Sequence, residues 1–169
     1  LMYVNFIFIA IFIGYEVGAA PLVSYNFGAR NFFELKNLLQ KSLVIISAFA
    51  GVMFVSAELL ARPLSAVFVG YDAALLLMTA RAFKIYAFSF LFSGFAIFAS
   101  SFFTALNNGL ISAVISVLRT LVFEVAAVLT FPLFWGLDGI WLAMVGAEVM
   151  AVLVSTLFLI LNRRKYQYW

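Results

Sequence analysis

Residues 85–118 read IYAFSFLFSGFAIFASSFFTALNNGLISAVISVL, and no charged residue occurs between Lys84 and Arg119. A membrane-spanning helix needs about 20 consecutive apolar residues, so this run is too long for one span. The Asn-Asn-Gly segment at 107–109 favours turn geometry and divides the run into two parts. The stretch therefore predicts two membrane-spanning helices joined by a tight turn.

The composition of the whole chain also predicts a membrane protein. Of its 169 residues, 67% are hydrophobic and 10% are charged, and the mean hydropathy is +1.17, whereas soluble domains are about half apolar and a quarter charged. Without Cys there are no disulfides or thiol nucleophiles, and without His the usual general base and metal ligand is missing. The net charge of +3 is small and the basic residues form no nucleic-acid-binding stripe. We therefore expect an all-α membrane bundle that is not an enzyme, has no cofactor or metal, and binds no nucleic acid.

The remaining apolar runs extend this prediction to five membrane-spanning helices with no soluble domain. A polar, basic connector at 26–41 follows the first helix, and a turn at 135–139 follows the fourth. The predicted spans are about 2–25, 42–60, 82–106, 110–134 and 140–161.

Basic residues near the ends of these spans predict the orientation of the chain. The first connector, the third connector and the C-terminal tail share one side of the membrane and hold a group of six basic residues. That side is expected to be cytoplasmic, which places the N-terminus outside and the C-terminus inside. A short, uncharged N-terminus on the outer side is typical of a truncated chain, so we expect a piece of a longer protein. The aromatic residues that follow the last basic cluster, Tyr166, Tyr168 and Trp169, predict an aromatic belt at the inner interface. The basic group comprises Arg30, Lys36, Lys41, Arg163, Arg164 and Lys165.

Four charged residues lie within the predicted spans, where ionised side chains are costly and are usually paired or functional. Glu124 and Glu148 lie roughly 15 and 14 Å from the outer ends of consecutive helices. They are expected to share a proton or hold a cation, or else to be two separately hydrogen-bonded glutamates. Arg119 and Glu124 are about 140° apart around an α-helix, so they are not expected to pair. Glu16, at the depth of Arg119, is an alternative partner for it.

The first predicted helix contains residues that suggest packing or bending. Gly14 and Gly18 form a small-residue pair that lets another helix approach closely. Ser112 and Ser116, in the fourth predicted helix, form a weaker pair of the same kind. Pro21 removes one backbone hydrogen bond and kinks the helix. The kink is either a gating hinge or the end of the helix.

Three stretches taken together resemble the multidrug and toxic compound extrusion (MATE) transporters. They are GYEVGAAPLVSYNFGARN at 14–31, FFTALNNGLIS at 102–112 continuing to Arg119, and GLDGIW at 136–141 followed by Ala-Glu at 147–148. In the first stretch, the segment from Pro21 to Gly28 resembles the family's Pro-x-x-x-x-x-x-Gly-Ala motif at the inner end of helix eight. The ordered set covers essentially the whole chain.

The resemblance implies that residues 1–169 are the C-terminal lobe of a twelve-helix transporter, without its seventh helix and N-terminal lobe. Such proteins export cationic or amphipathic drugs from the cell by alternating access, driven by H⁺ or Na⁺. The implied partners are the lipid bilayer, a small-molecule substrate, the coupling ion and the missing lobe. Some members place an acidic residue in helix ten, and residues 84–106 contain none.

Two other functions are alternatives to drug export. A lipid-linked sugar flippase of a related fold would be expected to have a more cationic central cavity than one with Arg119 alone. A non-transporting membrane scaffold subunit is the second alternative, because five helices cannot by themselves form two pseudo-symmetric lobes.

Overall fold

The computed structural model describes residues 2–168, and these are helical along nearly their whole length, with no strand among them. This confirms the prediction of an all-α bundle. The elements are α1 (Met2–Gly28), α2 (Phe32–Val69), α3 (Ala73–Ala87), α4 (Phe90–Ala105), α5 (Gly109–Val117), the π-helix π1 (Leu118–Phe123) and α6 (Glu124–Tyr166).

Helix α6 is a hairpin of two antiparallel arms. Gly136 has φ 56° and ψ −134°, which lies outside the helical region and turns the chain back. A straight helix over the 58 residues from 109 to 166 would be about 87 Å long, yet the Asn108 Nδ2 donates to the Tyr166 hydroxyl over 2.8 Å. A Cβ on Gly139 would stand 2.5 Å from the Phe131 carbonyl oxygen, so glycine allows the arms to meet beside the turn. We call the two ends of the bundle the Gly136 end and the Asn108 end.

The number of membrane passes follows from this hairpin. Among residues 2–168, three helices are long and apolar enough to cross a membrane, or four when the α3–α4 pair, bent by 45°, counts as one span. One of these helices is the continuous segment 109–166, which supplies two passes because Gly136 reverses it. The chain therefore makes five passes, as the sequence predicts.

The second helix is longer than its predicted span of 42–60. It begins at residue 32, so most of the polar connector 26–41 is helical. Asn31 starts it, because its side chain accepts a hydrogen bond from the Glu34 amide. The turn before it is short, since Arg30 adopts a left-handed φ of 54°. Apolar composition marked only the part suited to lipid, whereas capping sets where the helix begins.

The third predicted helix, 82–106, is two helices in the structure. Helix α3 begins earlier, at residue 73, after the capping side chain of Asp72, and the chain bends at residues 88–89 before α4 begins. At the bend the Ser89 hydroxyl donates to the Tyr86 carbonyl over 2.7 Å, and the Ser93 hydroxyl donates to the Ser89 carbonyl over 3.1 Å. Neither Gly nor Pro occurs at the bend, so the sequence carries no strong signal for it.

The C-terminal tyrosines are part of the core rather than a lipid-facing belt. Tyr168 is 1% exposed, and its hydroxyl donates to the Leu159 carbonyl over 2.7 Å. Its ring packs edge-on against Phe102, with 5.2 Å between the ring centres. The prediction of an aromatic belt is therefore wrong for Tyr166 and Tyr168, which are both buried, and Trp169 lies outside the described residues.

Candidate functional site

An ion pair joins π1 to the second arm of α6. The Arg119 Nε donates to both carboxylate oxygens of Glu148, over 3.2 and 3.0 Å, and its Nη2 donates to Oε1 over 2.6 Å. The two side chains are only 18% and 15% exposed. Such forked, charge-assisted contacts fix both position and orientation. The guanidinium thus pairs with Glu148, and not with Glu16, which the sequence offered as an alternative.

The π-helix determines what faces this pair. The Glu124 amide donates to the carbonyl of Arg119, five residues earlier, where an α-helix would use the fourth. The wider turn carries Arg119 and Glu124 to the same side, and both line one cavity. The sequence predicted that Arg119 and Glu124 do not pair, and among the described residues the guanidinium bonds Glu148 and not Glu124, although Arg119 and Glu124 both line the cavity. Single π turns of this kind occur frequently at functional sites.

The cavity beside the ion pair has a volume of about 180 Å³ and lies between α1, the α3–α4 bend, π1 and α6. One buried water needs a cavity volume of roughly 10–15 Å³, so this cavity has room for several waters. Glu124 and Glu148 both line it, as their matched depths suggested. Among residues 2–168 the carboxylate of Glu124 has no hydrogen bond or ion pair. The other polar groups lining the cavity are Asn5, Tyr86, Ser89, Ser93, Arg119 and Thr120.

A second cavity of about 210 Å³ adjoins the first and shares Arg119 and Ile9 with it. Glu16 lines this second cavity together with Ser100 and Ser116. The four charged residues that the sequence selected therefore lie around two adjoining cavities. Their part in binding a substrate or a coupling ion stays a prediction.

The serine and threonine hydroxyls beside the second cavity were not predicted as part of a site. Ser112 and Ser116 were expected only as small residues for packing, yet both form hydrogen bonds with Ser100 of α4. A signal was present, because polar residues recur at every fourth position from 108 to 120.

The glycine candidates on α1 have no close packing partner among residues 2–168. A Cβ on Gly14, Gly18 or Gly28 would meet no atom of the described residues within 4 Å. The close helix packing expected for Gly14 and Gly18 is therefore not made by residues 2–168. Helix α1 continues through Pro21 to Gly28, which rules out Pro21 as the helix end and leaves the hinge as a prediction.

Comparisons with known proteins agree on the type of fold. The sequence matches the MatE family over residues 1–130, and no curated protein sequence shows a significant match. The chain is similar to the crystal structure of the Vibrio cholerae MATE transporter VcmN in the bent form, with a TM-score of 0.80 at 17% identity. That similarity covers 96% of this chain and 40% of VcmN. With its apolar helices, the chain is a multi-pass membrane protein that spans less than half the length of that transporter. Because the family match covers most of its residues, the chain belongs to the MatE family.

Proposed function

We propose that the chain is the C-terminal lobe of a cation-coupled exporter, and that its coupling ion, H⁺ or Na⁺, binds at Glu124. One observation carries the proposal: the Glu124 carboxylate, without a bonded partner among residues 2–168, lines a cavity with room for several waters beside the bonded pair of Arg119 and Glu148. Acidic groups at membrane depth are costly and are usually functional.

The ion pair makes the two acids of the cavity unequal. Glu148 has Arg119 as its counter-charge through three hydrogen-bond contacts. Glu124 has no such partner and faces the negative charge of Glu148 across the cavity. Binding of a proton or a cation to Glu124 removes this uncompensated charge. The shared proton expected from the sequence is therefore assigned to Glu124 rather than divided equally.

The cargo and the second half of the transporter follow from the resemblance to MATE transporters. We propose that cationic or amphipathic drugs are exported by alternating access, with an N-terminal lobe completing the transport path. The basic residues at the Asn108 end, including Lys41 and Lys165, support a cytoplasmic position for that end in the cell membrane. Pro21 lies on α1, which lines both cavities, so it could couple ion binding to bending of that helix.

The test uses the full-length transporter in proteoliposomes, with uptake of a lipophilic cationic dye driven by an H⁺ or a Na⁺ gradient. Glu124→Gln is expected to abolish gradient-driven uptake at equal protein level, because the amide cannot exchange a proton or neutralise a cation. Glu58→Gln, an acid on α2 that lines neither cavity, is the matched control and should transport normally.

The same vesicles distinguish the alternatives. Gradient-driven uptake by Glu124→Gln at the normal rate would refute the assignment of the coupling site. Absence of dye uptake in the unsubstituted protein would favour the scaffold, and movement of a lipid-linked sugar in its place would favour the flippase.

A further inference from the structure

A row of polar side chains runs from Glu124 to the Asn108 end of the bundle. Along α5 and π1, polar residues occupy every fourth position: Asn108, Ser112, Ser116 and Thr120, followed by Glu124. Residues four apart lie on one face of a helix. At 1.5 Å per residue the row extends about 24 Å, which is most of the hydrocarbon thickness of about 30 Å.

Helix α4 contributes two further hydroxyls to this row. The Ser100 Oγ lies 2.9 Å from the Ser112 Oγ and 2.8 Å from the Ser116 Oγ. The Thr104 hydroxyl donates to the Ser112 Oγ over 2.7 Å. These four hydroxyls therefore form one continuous hydrogen-bonded chain between α4 and α5. We call this chain, together with Thr120, the hydroxyl ladder.

The cavities connect the ladder to the acid. Ser100 and Ser116 line the cavity of about 210 Å³, and Thr120 lines the cavity of about 180 Å³ together with Glu124. The Thr120 hydroxyl donates to the Ser116 carbonyl over 2.8 Å. Both volumes exceed several-fold the roughly 10–15 Å³ that one water needs. Water molecules in these cavities can therefore bridge Glu124 to Thr120 and Ser116, the ladder residues nearest to it in the chain.

Helix packing alone does not account for the ladder. Serine hydrogen bonds across a helix pair contribute to helix packing in a membrane, whereas this row continues past the α4–α5 contacts to Thr120 and Glu124. Thr104, Ser116 and Thr120 are also exposed in this lobe. Because polar groups are costly in hydrocarbon, the exposed side of the ladder suits a water-filled cleft.

Resting on the proposed function, we propose that the hydroxyl ladder conducts protons between Glu124 and the Asn108 end, so that the coupling ion is H⁺. In each step an oxygen accepts a proton from the preceding water or hydroxyl and passes its own proton to the next oxygen. The net result is one proton removed from the Glu124 carboxyl group and one delivered to water at the Asn108 end, with no other bond changed.

The charges around Glu124 favour a proton over a metal cation. Glu124 is faced by Tyr86 from α3, Arg119 from π1 and Glu148 from α6, and Glu16 of α1 lines the adjoining cavity. Both carboxylate oxygens of Glu148 are bonded to the Arg119 guanidinium, so Glu124 is the acid of this cavity that is left to bind an ion. A proton needs only that single carboxylate, whereas a hard metal cation needs several oxygen ligands.

The test measures drug-driven proton flux with a trapped pH-sensitive dye, in proteoliposomes that contain the full-length transporter. The double variant Ser112→Ala/Ser116→Ala is expected to slow this flux at least tenfold and to leave equilibrium binding of a lipophilic cationic dye unchanged. The variant Ser112→Thr/Ser116→Thr keeps both hydroxyls and should restore the flux. Ser47→Ala on α2 is the matched control, because among the described residues its hydroxyl bonds only the Leu43 carbonyl, within its own helix.

The outcomes separate this proposal from the one on which it rests. Normal proton flux in the double alanine variant overturns the ladder, as does equal loss of flux in the threonine variant, which would show a packing role. Where the double alanine variant fails to fold, Ser116→Ala alone, at the exposed position, gives the same decision. Impaired transport in Glu124→Gln with normal flux in the alanine variants overturns the ladder alone. Transport driven by Na⁺ without proton flux also overturns the ladder and leaves the coupling site standing.

Discussion

Replacement of Arg119 by Met removes the counter-charge of Glu148 and keeps an unbranched apolar stem. The guanidinium makes its closest contacts with the carboxylate over 2.6 and 3.0 Å, and hydrogen bonds to charged groups contribute about 1.5–3 kcal/mol each. Loss of one partner of a fully buried ion pair costs about 3–5 kcal/mol. The two side chains are 18% and 15% exposed, so we expect a cost at the lower end of that range, about 3 kcal/mol. This corresponds to about a hundredfold change in the unfolding equilibrium.

The assay is equilibrium unfolding of the purified protein in detergent micelles, applied to a double-mutant cycle. Arg119→Met/Glu148→Met replaces both charges by apolar groups, so the double variant should be more stable than either single variant. Arg81→Met is the control, because it breaks an exposed pair with Asp138, 71% and 34% exposed, and should cost less than about 1 kcal/mol. Stability losses that simply add in the double variant would refute the coupling inferred from the geometry.

Four further outcomes are expected. Gly139→Ala should destabilise the protein by about 1–3 kcal/mol, measured by unfolding in micelles, because its Cβ would stand 2.5 Å from the Phe131 carbonyl oxygen. Gly51→Ala, with open space around the added Cβ, is the control and should leave the stability unchanged. Burial raises the pKa of the Tyr168 phenol, so stability should fall as the pH rises above about 10, where the unfolded chain ionises first. Tyr168→Phe should reduce that fall and cost about 1 kcal/mol at neutral pH. Gly18→Leu should leave the melting temperature of this chain unchanged and lower the melting temperature of the full-length transporter. Pro21→Ala should lower the export rate of the full-length protein more than its expression, and equal rates at equal protein level would remove the hinge.

The passes of the helices could be predicted because each depends on local composition. Lipid requires about 20 apolar residues for every spanning helix, and the turn residues at 107–109 and at Gly136 interrupt those runs. The bounds of α2 could not be read in the same way, since half of its first ten residues are polar and Asn31 begins the helix through one capping hydrogen bond. The depth estimated from residue positions along each helix also placed Glu124 and Glu148 at one level, and the two residues line the same cavity in the structure.

The sequence by itself determined an all-α membrane bundle of five passes, with four charged residues inside it, because the hydrophobic effect acts on each apolar run separately. Only the tertiary structure decided how those charges are arranged. The widened turn of π1 rotates Arg119 and Glu124 to one side, and the Gly136 hairpin brings Glu148 to the guanidinium. The bend at residues 88–89 completes the cavity around them. The pairing of Arg119 with Glu148 and the cavity beside them join residues far apart in the chain, which hydropathy and helical periodicity do not register.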